Sequence, residues 1–171
     1  MASELRVDRI IPTTGVATNQ MGGVIQYVQA THTVMTVRKS TTSTSYVDSG
    51  YSLTITPKSS SSKILIYANI SCHVGNNHYG YLRVYNSTAG RYVNSEGGAT
   101  SDGMYESAMG AQSQWTMLSV EAIDIPNSTS AQTYKLYTRS SNGNGTLSLG
   151  WSSNAPDTMN MNFMSATEFS A

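Results

Sequence analysis

The chain has 171 residues, enough for one domain with a full core and too few for two comfortable ones. Charged side chains make up only 12 %, and ten Lys and Arg balance ten Asp and Glu. A neutral chain lacks the basic stripe that nucleic-acid binding needs, no apolar run approaches the ~18 residues of a membrane-spanning helix, and a single cysteine excludes an internal disulfide.

Ser, Thr, Asn and Gly supply the polarity instead, a palette suited to β-rich extracellular or virion proteins rather than to a helical cytosolic enzyme. The opening MASELRVDRII has no basic region followed by an apolar core, which argues against a secretory signal. The chain is therefore expected to be made in a cytoplasm.

Residues 1–23 differ from the rest. Leu5 and Val7 share one strand face, Ile10 and Ile11 follow closely, and then come Pro12, Gly15, Gly22 and Gly23. Such a strip is too small to fold alone, so it reads as a sandwich strand, a segment exchanged between subunits, a plug into another protein, or simply a solvated tail. Residues 24–171 form the body.

Val24 to Ala30 is expected to be a strand, with Val24, Gln26, Val28 and Ala30 on one face and Ile25, Tyr27 and Gln29 on the other. Residues 31–45 are strand-prone by their β-branched content but poorly patterned. The best-specified stretch follows. Leu53 and Ile55 alternate with Ser52, Thr54 and Thr56; after the polar loop Pro57 to Ser62, the residues Ile64, Ile66, Ala68, Ile70 and Cys72 all point one way. That loop is long for a tight hairpin, so the two strands either pair loosely or sit in facing sheets.

Tyr79 to Asn86 puts Leu82 and Val84 inward and Tyr81, Arg83 and Tyr85 outward; Asn86 to Gly90 is a turn by composition, and Arg91 to Val93 is the returning strand. Ser95 to Gly110 holds four glycines and is expected to be a long loop. Gln114 to Ile125 has apolar residues on both parities; a helix fits the spacing, but Pro126 and the β-branched residues favour a strand buried on both faces or bulged. Thr133 to Arg139 buries Tyr134 and Leu136, Ser140 to Gly145 is a turn signal, and Leu147, Leu149 and Trp151 are the inward face of that hairpin's return strand. Met161 to Phe169 closes the sheet. The sum is an all-β antiparallel β-sandwich, jelly-roll-like, of about eight strands, with an extended N-terminal segment.

Catalytic and metal templates find no partners. His32, His73 and His78 lack metal-ligand spacing, Asp102 and Glu106 lie in a glycine-rich stretch that favours solvation, and Asp157 stands alone. No serine sits in a nucleophile elbow and no glycine-rich loop opens a helix. No cofactor or metal is expected, and the chain reads as a non-enzyme. Cys72 falls on the apolar face of its strand as a buried thiol. Sequons at Asn69, Asn86, Asn127 and Asn144 are what abundant Asn, Ser and Thr produce by chance.

Eleven tyrosines against two phenylalanines is a lopsided share. A tyrosine carries apolar area and a hydroxyl together, which suits interfaces and recognition surfaces. Tyr79, Tyr81 and Tyr85 are expected along one outward face, with Asn77 and His78 at the adjoining tip, as either a ligand site or a contact between subunits.

Three stretches resemble a known family. SELRVDRIIPTTG with the glycine patch and VIQYVQA behind it, SYVDSGYSLTITPKSSSSKILI, and the C-terminal NFMSATEFSA are similar to small tail-fibre-like structural proteins of marine bacteriophages. The resemblance covers about the first 70 residues and the last ten; Val74 to Asp157 has no counterpart in it. It implies a virion component, trimeric, with a β-sandwich body and an N-terminal attachment segment in which Leu5, Val7, Ile10 and Ile11 are the contact residues. It carries no catalytic motif. The expected partners are further copies of the chain, other virion proteins, and a host surface glycan or protein, with no nucleic acid and no membrane insertion. Alternatives are a capsid decoration or cement protein, or a lectin-like glycan-binding module.

Overall fold

The structure, a computed structural model, describes residues 23–31, 38–74, 79–93, 114–150 and 162–170. The expectations for Leu5, Val7, Ile10, Ile11, His32, Asn77, His78, Asp102, Glu106, Trp151 and Asp157 lie outside these residues, as does the long loop from Ser95 to Gly110.

The described residues contain ten strands and no helix: β1 Val24–Gln29, β2 Lys39–Thr41, β3 Val47–Ile55, β4 Lys63–Val74, β5 Gly80–Asn86, β6 Arg91–Tyr92, β7 Gln114–Asp124, β8 Gln132–Ser140, β9 Leu147–Leu149 and β10 Phe163–Phe169. All pairings are antiparallel. One sheet has the order β3-β8-β5-β6. The other is built on β4, which pairs along its whole length with β7 on one side and with β10 and then β9 on the other.

β9 and β10 run in the same direction along β4, Leu149 opposite Cys72 and Phe163 opposite Asn69, so together they act as one interrupted strand. β1 and β2 flank them in the same way, β1 against β10 and β2 against β9. The interruption in β9/β10 has a fixed neck. Gly150 N–H donates to Ser71 O (2.8 Å), and Ser71 N–H donates to Asn162 Oδ1 (2.9 Å).

Counting β1/β2 and β9/β10 once each leaves eight strands, four per sheet. The first pairs with the eighth, the second with the seventh, the third with the sixth and the fourth with the fifth. This is a long antiparallel ribbon wrapped on itself, the jelly-roll path, and it bears out the expected sandwich. The loop at 57–62 joins β3 in one sheet to β4 in the other, so the two best-patterned strands sit in facing sheets.

The core lies between the layers. Ile64, Ile66, Ala68, Ile70, Cys72 and Val74 of β4 are all fully buried, against Leu53 and Ile55 of β3, Leu82 and Val84 of β5, and Tyr134 and Leu136 of β8. Each such Ile, Leu or Val is worth about 1.5–3 kcal/mol relative to exposure. The Cys72 thiol is buried as expected, and burial pushes it up to about 12.

Two expectations are corrected. β7 is regular and buried on one face only: Leu118, Val120 and Ala122 point inward, while Met117 is exposed and Ile123 half-buried. Its second apolar parity is surface, because β7 borders its sheet and nothing among the described residues covers its outer side. The turn after β8 forms, but β9 is not its hairpin partner. β8 already has β3 and β5 on its two edges, so β9 crosses to the other sheet and takes the stretch of β4 that β10 leaves open.

Candidate functional site

The expected tyrosine face is the outer surface of the β3-β8-β5-β6 sheet. Alternation sends Tyr81, Arg83 and Tyr85 of β5 outward, and register sets them opposite Arg139, Tyr137 and Lys135 of β8. Tyr92 of β6 lies beside Tyr85, and Tyr46 enters just before β3. Next to it β3 carries a bulge: Asp48 opposes Tyr137 and Ser52 opposes Lys135, so β3 takes extra residues there. Gly50 supplies the positive φ of 86° that this bulge needs. Asp48 Oδ1 accepts the Gly50 N–H at 2.8 Å, and the buried Ser49 hydroxyl donates to Leu136 O at 2.7 Å.

The side chains form one continuous stack of rings and guanidinium groups. The Arg139 guanidinium lies 3.9 Å from the Tyr81 ring centre and 5.2 Å from that of Tyr46. Arg83 lies 4.5 Å from the Tyr46 ring centre and 5.0 Å from that of Tyr92, over a pair of rings whose centres are 5.6 Å apart. Tyr92 then meets Tyr85 at 5.0 Å and Tyr137 at 5.9 Å, and Tyr85 meets Tyr137 at 4.7 Å. Cation–π contacts of this kind contribute about 0.5–2 kcal/mol each.

One consequence departs from simple alternation. Arg83 is on the outward parity yet only 7 % exposed, because the rings cover it. Beside the stack, Lys135 Nζ donates to Asp48 Oδ2 at 2.7 Å. Burial alone would raise Asp48, but Lys135 and the Gly50 N–H outweigh it and hold the carboxyl below its ordinary value; the same bond raises Lys135.

Tyr81 and Tyr85 thus belong to the face as expected. Tyr79 does not join the stack: it precedes β5, is exposed, and pairs by its backbone with Ser141. Tyr46, Tyr92, Tyr137 and the paired role of Arg83 and Arg139 were missed. The usable signal was the outward parity of β8, Lys135-Tyr137-Arg139, read against that of β5.

Buried acids were also missed. Asp124, at the inward end of β7, accepts from Asn86 Nδ2 and the Tyr134 hydroxyl, each at 2.9 Å, and is ion-paired with Arg91. Asn86 Nδ2 also donates to Gln132 Oε1 (3.0 Å), while Asn86 Oδ1 accepts the Thr88 and Ala89 N–H groups and so fixes the 87–90 turn. A buried Asn86 cannot serve as a glycan acceptor in the folded chain. Glu168, at the inward end of β10, accepts from Gln26 Nε2 and from the Lys58 N–H. Burial would raise it, but the nearby Ser62 hydroxyl, the Gln26 amide and the backbone N–H groups of Lys58 and Ser59 outweigh this and lower it.

No family model matches the chain, and no curated protein matches it. Among the described residues, no three His, Cys, Asp or Glu side chains are grouped to hold a metal ion. The chemistry available on the tyrosine face is stacking, cation–π contact and charge, with each of its five rings already set against a neighbour.

Proposed function

We propose that the protein is a non-enzymatic structural component of a bacteriophage virion, a subunit of a fibre or appendage that assembles with further copies of itself and is held by its N-terminal segment. The sequence resemblance supports this reading, and one geometric observation carries it. Gly23 and Ser170 lie side by side, Ser170 N–H donating to Gly23 O at 3.3 Å, so the chain enters and leaves the sandwich at the Asn86 end. Gly23, where residues 1–22 join the body, is therefore at that end. Of the described residues that flank 75–78 and 94–113, Val74, Tyr79 and Gln114 lie at the opposite, Gly80 end, and Val93 bonds Val84 midway along β5. A stiff sandwich with its attachment strip at one end and its replaceable connections at the other suits a body that is anchored and reaches outward.

The experiment is incorporation. Particles assembled with the full chain are expected to contain it; particles assembled with a chain lacking residues 1–22 are expected to lack it, while the truncated chain keeps its β-sheet circular dichroism and cooperative melting. Incorporation of the truncated chain at the full-length level overturns the anchor. Absence of the full chain from purified particles overturns the virion role.

A further inference from the structure

The turn after β8 carries chemistry that the fold does not use. Asn-Gly occurs twice in the chain, at Asn142-Gly143 and Asn144-Gly145, and both lie in this one turn between Ser140 and Leu147. An asparagine loses its amide when the backbone nitrogen of the following residue attacks its Cγ. A glycine in that following position leaves the nitrogen unshielded and the backbone free to reach the closing conformation. Asn142, Gly143 and Asn144 are exposed, whereas Gly145 is buried.

The two sites are not equivalent. Asn142 Oδ1 accepts the Asn144 N–H at 3.0 Å, which folds the side-chain amide back over the intervening Gly143 peptide. That donor sits on the oxygen where negative charge develops when Cγ is attacked. A Cβ added at Gly143 would meet nothing within 4 Å, so the attacking nitrogen stands in open space. No protein group among the described residues accepts the Gly143 N–H. The nitrogen that would attack Asn144 belongs instead to the buried Gly145, and its N–H donates to Asn142 O at 3.4 Å.

We infer that Asn142 is a site of spontaneous deamidation, a modification that converts this neutral turn into an anionic one. The Gly143 N–H gives its proton to hydroxide, and the nitrogen bonds to Asn142 Cγ. The tetrahedral adduct expels Nδ2, which takes a proton from water and leaves as ammonia, so that a cyclic succinimide remains. Water then opens the ring at either carbonyl, giving aspartate or isoaspartate. The balance is one water consumed and one ammonia released, with no oxidant and no partner. Residues 140–146 hold no Lys, Arg, Asp or Glu, so the new carboxylate is the first charge in the turn. The isoaspartate form also lengthens the main chain by one carbon. The bonds it disturbs are local ones, from Ser140 Oγ and the Gly145 N–H to Asn142 O, so β8 and β9 keep their register.

The test is peptide mapping of the full-length folded protein after ageing at mildly alkaline pH in water enriched in heavy oxygen. The Asn142 peptide is expected to exchange an amide for an acid carrying one heavy oxygen, as separable aspartate and isoaspartate forms. Its rate is expected to rise with pH, since the attacking nitrogen must first lose its proton, and to exceed that at Asn144 severalfold. Gly143→Ala is expected to slow it at least tenfold with unchanged circular dichroism, because Gly143 has no positive φ and has room for a methyl group. In urea the two sites are expected to convert at similar rates, because the bonds of the folded turn select Asn142. An Asn142 that keeps its amide, an Asn144 that converts as fast in the folded chain, or a product free of isoaspartate overturns the inference. A preference for Asn142 that persists in urea overturns its selection by the turn.

Discussion

The two ends of the sandwich are held by different kinds of bond. At the Asn86 end, side chains reach across strands and between sheets: Asp124 joins β7 to β5, β6 and β8, and Glu168 joins β10 to β1 and the 57–62 loop. The partners of these two acids are 10 to 142 residues away in sequence. At the Gly80 end many of the side-chain bonds are local. Ser140 Oγ donates to Asn142 O, Asn144 N–H donates to Asn142 Oδ1, and Ser43 and Ser45 bond each other, each pair two residues apart. The Gly80 end is closed instead by packing, where a Cβ on Gly80 would come within 2.6 Å of Leu147. Long-range polar bonds fix which strands meet; local ones fix only the shape of a turn, and a turn can change without disturbing the layers.

Substitutions break or sharpen this contrast. The largest effect is expected from Asp124→Ala, which leaves the buried Asn86 and Tyr134 without their shared acceptor, while the half-exposed Arg91 turns to water. A loss of about 2–4 kcal/mol is expected in chemical denaturation. Glu168→Gln keeps the shape but turns an acceptor into a donor facing backbone N–H groups, and a loss of about 1–3 kcal/mol is expected.

The same residue gives a pH dependence. Glu168 and Asp48 are lowered in the fold, so their stabilisation is present above their unfolded values of 4.5 and 3.8 and is lost as pH falls through the lowered ones. Acid melting of the wild type is therefore expected to steepen below about pH 4, and Glu168→Gln to flatten that limb. Cys72 works in the opposite direction. Raised from 9.0 to about 12 by burial, it contributes fully below pH 9.0, and that contribution is lost as pH rises toward about 12. Cys72→Ala is expected to flatten the alkaline limb by about one proton. The smallest effect belongs to the Gly80 end. Asn142→Ala is expected to cost no more than about 0.5 kcal/mol, and a loss near that of Glu168→Gln would dissolve the contrast between the ends.

Much of the body was legible because alternation is a physical consequence of the pleat. The inward sets of β4, β5 and β8 were read correctly from period two alone. What alternation cannot supply is partner choice. Leu147 and Leu149 are inward in either sheet, and only the occupation of both edges of β8 decides that they cross. It also misjudged Arg83, whose burial comes from rings on β6 and before β3 that no local pattern connects to it.

Asp124 and Glu168 were within reach. Each extends the inward parity of its strand, after Leu118-Val120-Ala122 and Met164-Ala166, and was passed over because an acid at such a position is costly until its partners are known. The tyrosine excess was noticed, but its two uses separate only in three dimensions, into rings that cover one another and rings such as Tyr27 and Tyr67 that border open surface.

The clamped neck at Ser71 has an engineering consequence. Leu149 and Phe163 hold register on β4 independently, and Gly150 and Asn162 both bond Ser71. A change of length between Gly150 and Asn162 need shift neither ladder, and loop closure charges only about 0.6 kcal/mol for each doubling of length. The jelly roll therefore carries an interior strand whose two halves are anchored separately, so its join is a splice point at which length can vary without re-registering the sheet.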